Sequence, residues 1–407
     1  MKPMTTSDWL KFEFWMAKGR FNKRRADLNA ALHCFQQALV HIPDNLLAQC
    51  YVAYCYMGLS RYVDAAKAFE RGLQIRSYSA YCHAGLGGAY SYLKKYSGSI
   101  DSFNRAFRID PNQKKKGRNL LLLASAYGGL PDYETSAKFY SNAVELLPDD
   151  ADAHHGLGWA LRCLGKSKEA EAPLTTAIRL TPDYAGSHYE LGRVHFDLGR
   201  LAEAEAEIKQ AIELNPLRSD FHYTLGLVLG EAGRPFEAVL CYEKALELKP
   251  DDVDALWDLS LAYSLSESWD RLLEASERYI HLKPEDGFGY FNLAVAYASL
   301  DRSDEAIETF RKVLEIKPDS VEATENIAWL YLEMARFPEA VEAFKRAIAL
   351  APNFARLHLK LGEAFVKMGD LSGAREQLQL LTDADLDERE QLSQMISTAE
   401  ATTTRDQ

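Results

Sequence analysis

The sequence predicts an all-α protein, a solenoid of tandem helix-turn-helix units, and three observations carry that prediction. Pro148, Pro182, Pro216, Pro250, Pro284, Pro318 and Pro352 stand 34 residues apart, and a register held over so many positions marks one structural unit copied along the chain. Between these prolines, apolar and small residues recur at spacings of three and four, the period of a helix face and not of a strand. The composition, 47% hydrophobic and 26% charged, suits a packed chain and argues against disorder or collagen.

With the proline counted as position 32 of each unit, one code repeats. A bulky residue stands at position 4, Leu or its like at 7, a small residue at 8, and an aromatic or Leu at 11. Ala follows at 20 and 27 around an aromatic or Leu at 24. Residues 287–320 show it as Tyr290, Leu293, Ala294 and Tyr297, then Ala306, Phe310, Val313 and Pro318. Residues 185–218 repeat it as His188, Leu191, Gly192 and His195, then Ala204, Ile208, Ala211 and Pro216. Each unit thus encodes two amphipathic helices of about 14 residues, on the order of 20 Å long. A turn near position 15, marked by Gly165, Gly199, Gly233 and Gly369, separates them. The small residues leave room for two helix backbones to approach closely.

From the N-terminus, residues 1–45 read as a cap and degenerate first unit. Trp15, Gly19, Ala31, Phe35, Ala38 and Pro43 keep the pattern, while Lys18 and Asn22 occupy normally apolar positions. Pro43 and Pro111 lie two periods apart, with Ser77 between them in place of a proline. The step from Pro111 to Pro148 is three residues too long, and Lys114, Lys115 and Lys116 are its simplest insertion. Units 2–11 fill residues 46–386. Pro173 falls inside a predicted second helix, where it removes a backbone hydrogen bond and should bend it. Residues 253–286 replace small positions by Leu272 and Tyr279 and the bulky one by Ser276, so a looser joint is expected there. Residues 387–407 read as a short polar capping helix, with Leu392, Met395 and Ile396 on one side, and a frayed tail.

These residues resemble the tetratricopeptide repeat family over about residues 12–386, in eleven consecutive units. The resemblance implies a right-handed α-solenoid superhelix whose first helices line a concave groove, with stability set by nearest-neighbour contacts. It also implies that positions 2, 5, 6, 9, 12 and 13 face the groove. On position 5 stand His155, Tyr189, Tyr223, Trp257 and Phe291; on position 6 stand Glu190, Thr224, Asp258, Asn292, Asn326 and Lys360. Aromatic rings could grip an extended peptide through apolar area, and asparagines could bond its backbone with donor or acceptor. The partner-binding candidates are therefore Tyr189, Tyr223, Trp257, Phe291, Asn292, Asn326, Arg356 and Lys360. The same rings suit a cover over neighbouring helices equally well, and both readings stay open.

Asn326, Arg356 and Lys360 match three of five positions with which some family members hold a C-terminal carboxylate. Phe291 and Val295 replace the other two, and Glu322 and Glu325 would repel an anion, so that clamp is not expected. The chain is charged asymmetrically: residues 1–120 carry 19 Lys+Arg and 8 Asp+Glu, against −12 for the whole. Lys114, Lys115, Lys116 and Arg118 form a basic patch, with Lys23, Arg24 and Arg25 nearby. A solvated loop is the simpler account; an acidic protein, nucleic acid, an anionic membrane or the acidic end of a second copy are the alternatives.

Other chemistry does not fit. GLGGAY at 85–90 and GKS at 165–167 lack the full phosphate-loop spacing and a feeding strand. His83, His154, His188, His222 and His358 all fall on position 4. Helices packed about 8–10 Å apart cannot bring such residues together on zinc, which needs ligands near 2 Å. No metal, cofactor or enzyme activity is expected. Six scattered cysteines, no apolar run of about 18 residues and no secretory signal suggest a soluble cytoplasmic protein with reduced, buried thiols. The expected function is a non-catalytic scaffold or adaptor holding a protein or peptide segment, without nucleic-acid or membrane partners. The rival readings are a regulatory or substrate-presenting arm for an enzyme acting in trans, as in protein glycosyltransferases of similar appearance, and a self-assembling structural protein.

Overall fold

The computed structural model describes residues 5–382 and 385–403, and every regular element among them is helical. The chain falls into two compact units, Met1–Pro216 and Leu217–Gln407.

The first unit stacks helix pairs α1 (Thr6–Arg24) and α2 (Leu28–His41), α3 (Leu46–Gly58) and α4 (Tyr62–Ile75), and α5 (Ala80–Tyr92) and α6 (Tyr96–Ile109). It continues with α7 (Gly117–Gly128) and α8 (Tyr133–Leu146), α9 (Ala151–Cys163) and α10 (Ser167–Leu180), and α11 (Ala185–Asp197) and α12 (Leu201–Leu214). Between α6 and α7 a 3₁₀ turn, Pro111–Lys115, absorbs most of the insertion. The second unit holds α13 (Ser219–Glu231), α14 (Pro235–Leu248), α15 (Val253–Leu265), α16 (Trp269–Leu282), α17 (Gly287–Ser299) and α18 (Ser303–Ile316). It ends with α19 (Val321–Glu333), α20 (Phe337–Leu350), α21 (Ala355–Met368), α22 (Leu371–Leu380) and α23 (Leu386–Thr403). The stack is an α-solenoid in each unit.

Size alternation builds the core. The bulky position 24 is fully buried as Phe35, Phe69, Phe103, Leu174, Ile208, Phe310 and Phe344. Position 8 of the same pair faces it: a Cβ added at Gly19 would lie 2.6 Å from Phe35, at Gly158 2.4 Å from Leu174, and at Gly226 2.5 Å from Tyr242. Such gaps are filled as densely as a crystal, so neither partner can grow. Between helices of a pair the chain turns through a positive φ at position 15, by glycine at 165, 199, 233 and 369 and without it at Ala26, Ser60, Lys94, Glu267, Asp301 and Ala335.

The irregular pair α15 and α16 is packed by exchange of bulk. Tyr279 is buried, and the next pair leaves room for it with Gly289, whose Cβ would stand 2.8 Å from the ring. Ser260 and Ser276, which take the places of the usual small and bulky core residues, are buried and donate to the carbonyls of Leu256 and Leu272. Helix α10 runs through Pro173. At the C-terminus Leu392 and Ile396 of α23 are buried, and Leu392 fills the space opposite Gly362. The last part of the expected frayed tail, residues 404–407, lies outside the described residues.

Candidate functional site

The first helices of successive pairs meet along their position-5 side chains. In the second unit the Tyr223 hydroxyl donates to Asp258 at 2.7 Å, Trp257 stacks on Phe288 with ring centroids 3.3 Å apart, and Arg356 Nε donates to Glu325 at 2.8 Å. Phe291 packs edge-on against Phe310 at 5.4 Å. The position-5 ladder is therefore partly a joint between repeats. Its members differ in what they leave open: Tyr189, in the first unit, is only 8% exposed with the Arg193 guanidinium 5.6 Å from its ring, whereas Trp257 is 40% exposed.

The remaining candidates are also held within the chain. Asn326 Nδ2 donates to the Glu322 carbonyl at 2.8 Å. Lys360 Nζ donates to Glu363 at 2.9 Å and lies 5.8 Å from the Trp329 ring. Asn292 Nδ2 is buried without a hydrogen-bond partner among the described residues. The three residues that resembled a carboxylate clamp thus have their donors engaged by two glutamates and a backbone carbonyl.

Position 9 of the same helices carries residues that the reading of positions 5 and 6 passed over. Leu227, Leu261, Val295 and Trp329 stand one repeat apart, and Leu261 and Trp329 are 49% and 43% exposed. On α15, Leu261 follows Trp257 by one helical turn, so ring and aliphatic chain share a face. Leu227 and Val295 are half-buried, so the exposed apolar groups of this face are Trp257, Leu261 and Trp329. The 34-residue spacing of the four position-9 residues was the signal that could have found them.

Charge on this face is mostly negative until the last pair. Burial pushes the Asp258 carboxyl above its ordinary range; the Tyr223 hydrogen bond opposes this and Asp254 adds to it. Burial, then the Asp258 contact, pushes the Tyr223 phenol well up. On α21, burial works against ionisation of Glu363, but Lys360 and Lys367 outweigh it and hold that carboxyl below the usual range.

The basic patch of the first unit is divided among aromatic neighbours. Lys114 Nζ lies 5.9 Å from the Phe107 ring and Lys116 Nζ 5.6 Å from Tyr81. Arg118 donates to the Tyr92 hydroxyl at 3.1 Å, and Lys115 is exposed.

The position-4 histidines have a structural use. Nε2 of His154, His188 and His358 lies 2.9 Å from the carbonyl of Pro148, Pro182 and Pro352 respectively, and that of His83 lies 3.1 Å from Ser77 O. Each ring ties a first helix to the turn that precedes it. Among the described residues no group of His, Cys, Asp and Glu could hold a metal ion. All six cysteines are free; Cys34, Cys50, Cys55 and Cys82 are buried, and Cys163 and Cys241 half-buried. The Sγ atoms of Cys50 and Cys82 lie 3.1 Å apart, and their hydrogen bond pushes one thiol of the pair, Cys50, up while drawing Cys82 down. No described helix is long and apolar enough to cross a membrane.

Fold and faces together define a helical-repeat scaffold for protein–protein interaction. Sequence models of the tetratricopeptide repeat match residues 23–80, 80–113, 139–172, 157–219, 189–252, 223–286, 290–353 and 331–396, and the chain belongs to that family. Its members are generally non-catalytic. No curated protein matches the chain. Among solved structures it is similar to the C-terminal part of a tetratricopeptide repeat-containing protein from Cytophaga hutchinsonii, at 19% identity and TM-score 0.52, covering 59% of this chain and 99% of that one. It is also similar to YrrB, described as a tetratricopeptide-repeat protein with an unusual peptide-binding site, at 24% identity and TM-score 0.43, covering 46% and 96%. Yeast Tom70 matches at 14% identity and TM-score 0.36, covering 97% and 96%. At these identities the likeness concerns the fold.

Proposed function

We propose that the protein is a non-catalytic scaffold that holds an extended protein segment against the first helices of the Leu217–Gln407 unit. The observation that carries this reading is the exposed apolar lane of Trp257, Leu261 and Trp329. Rigid aromatic and aliphatic groups in such a lane give contact area at low entropic cost, and interface energy concentrates on residues of this kind. Tyr223 and Phe291 support the lane by joining the helices behind it, Asn292 and Asn326 are candidates for bonding the segment's backbone, and Arg356 and Lys360, each paired with a glutamate, stand at its end. The basic patch at Lys114, Lys115, Lys116 and Arg118 is a separate surface of the first unit.

Affinity capture from native lysate, comparing the wild type with Trp257→Ala/Leu261→Ser/Trp329→Ala, tests the reading. The variant must first show unchanged helicity by circular dichroism. Loss of captured proteins from the folded variant supports the lane; an unchanged set of partners refutes it. A stoichiometric enzyme among the lost proteins would identify the scaffold as an arm acting in trans.

A further inference from the structure

The lane borders a cavity whose chemistry selects one kind of side chain. Between the turns that precede α17 and α19 lies an open cavity of about 450 Å³. Phe288 and Phe291 with Val313 and Ile316 form its apolar walls, and Glu285, Asp286 and Glu322 stand on its rim with a single cation, Lys317. Phe288 is shared: it lines the cavity and stacks on Trp257, so the cavity and the exposed indole form one continuous aromatic surface. Asp286 is already engaged, accepting from the Tyr279 hydroxyl at 2.6 Å and from the Phe288 amide at 3.0 Å. The Glu322 carboxylate accepts a hydroxyl contact from Ser320, at 3.2 Å. Neither Glu285 nor Glu322 has a cationic partner among the described residues, unlike Glu305, Glu315 and Glu339. Asp254 and Asp258 add negative charge on α15, one turn apart and flanking Trp257 in sequence.

We propose that this cavity takes an arginine or lysine side chain of the bound segment, and that the scaffold's partner is a cationic segment with apolar residues, not an acidic tail. The proposal rests on the reading of the lane as the docking face. A long basic side chain has what the site demands: an apolar stem to lie on Phe288 and Phe291, and a cation attracted both by ring faces and by the two glutamates without cationic partners. An acidic segment would meet Glu285, Glu322, Asp254 and Asp258 with like charge, which costs binding free energy and supplies specificity.

The test uses the full chain and three short fluorescent peptides of equal length: one of leucine, serine and arginine, one with its arginines replaced by glutamine, and one with glutamate instead. Fluorescence anisotropy gives their affinities for the wild type, for Glu285→Gln/Glu322→Gln, and for Glu274→Gln/Glu308→Gln, a charge-matched control on the exposed second-helix surfaces of α16 and α18. The arginine peptide is expected to bind tightest and to weaken by about tenfold in Glu285→Gln/Glu322→Gln, the size of a lost charge-assisted contact. The control should leave it unchanged. Equal loss in both double variants, or arginine and glutamine peptides of equal affinity, would overturn the proposal. If the glutamine peptide binds and loses affinity in Trp257→Ala, the lane stands and only the choice of cation fails. If no peptide responds to Trp257→Ala, the lane itself fails as the docking face.

Discussion

Phe310→Ala offers a direct measure of how the repeat code becomes stability. The Phe310 ring is completely buried, meets the Phe291 ring edge-on at 5.4 Å, and shares its cluster with Ala294 and Ala306. Alanine neighbours have no side chain with which to fill the space, so the cavity persists and the cost falls in the middle or upper part of the range for such truncations, about 4 kcal/mol. Loss of the aromatic pair is included in that figure. Because repeats contact only their neighbours, the loss should be local. Native-state hydrogen exchange followed by mass spectrometry should show the opening free energy of α17 to α20 lowered by about 4 kcal/mol, while α1 to α8 keep theirs. A loss below about 1 kcal/mol, or an equal loss through residues 5–146, would refute the reasoning.

Three further outcomes are expected. Glu267→Gly should stabilise the chain by up to about 1 kcal/mol in urea denaturation, since Glu267 holds a φ of 53° that a side chain opposes; destabilisation would contradict a strained turn. Arg162→Ala should cost about 3 kcal/mol, because Arg162 and Glu190 pair at 2.7 Å with side chains only 10% exposed and the carboxylate would be left without its cation; a change within a few tenths would show the pair to be dispensable. Burial holds the His83 and His155 imidazoles below their ordinary pKa, so the unfolded chain takes up their protons first as pH falls. Their contribution to stability is complete above about pH 6.5 and declines below it. The thermal midpoint should fall between pH 7.5 and pH 5 in the wild type and fall less in His83→Gln/His155→Gln; parallel curves would exclude these histidines.

The repeat was legible because its signals are local to each unit. The proline spacing, the alternation of small position 8 with bulky position 24, and the Leu392–Ile396 face of the last helix all depend on residue size and helical period alone. Other features depend on a neighbour about one repeat away. Trp257 and Tyr189 occupy the same position, yet one is open and stacked on Phe288 while the other is covered, and nothing within either unit's own pattern distinguishes them. The position-15 turn showed itself only where glycine marks it; Ala26, Ser60, Lys94, Glu267, Asp301 and Ala335 adopt the same backbone without that sign. Tyr279 and Gly289 read separately suggest a defect, and only their pairing shows an exchange of volume. The position-9 residues were visible in spacing, but attention to aromatic rings and asparagines passed over two leucines, a valine and a second tryptophan. The division at Pro216 has no counterpart in the 34-residue register, which runs unchanged through it.

The central claim, that the first-helix face of the Leu217–Gln407 unit is the docking surface, is tested most directly by photo-cross-linking. A benzoylphenylalanine placed at Leu261 would sit on the lane, while one at Leu240, on α14 and 64% exposed, would sit on an apolar residue of a second helix. Cross-links from Leu261 to a discrete partner segment, absent from Leu240, are the predicted result. Equal labelling from both positions, or labelling from Leu240 alone, would contradict the account.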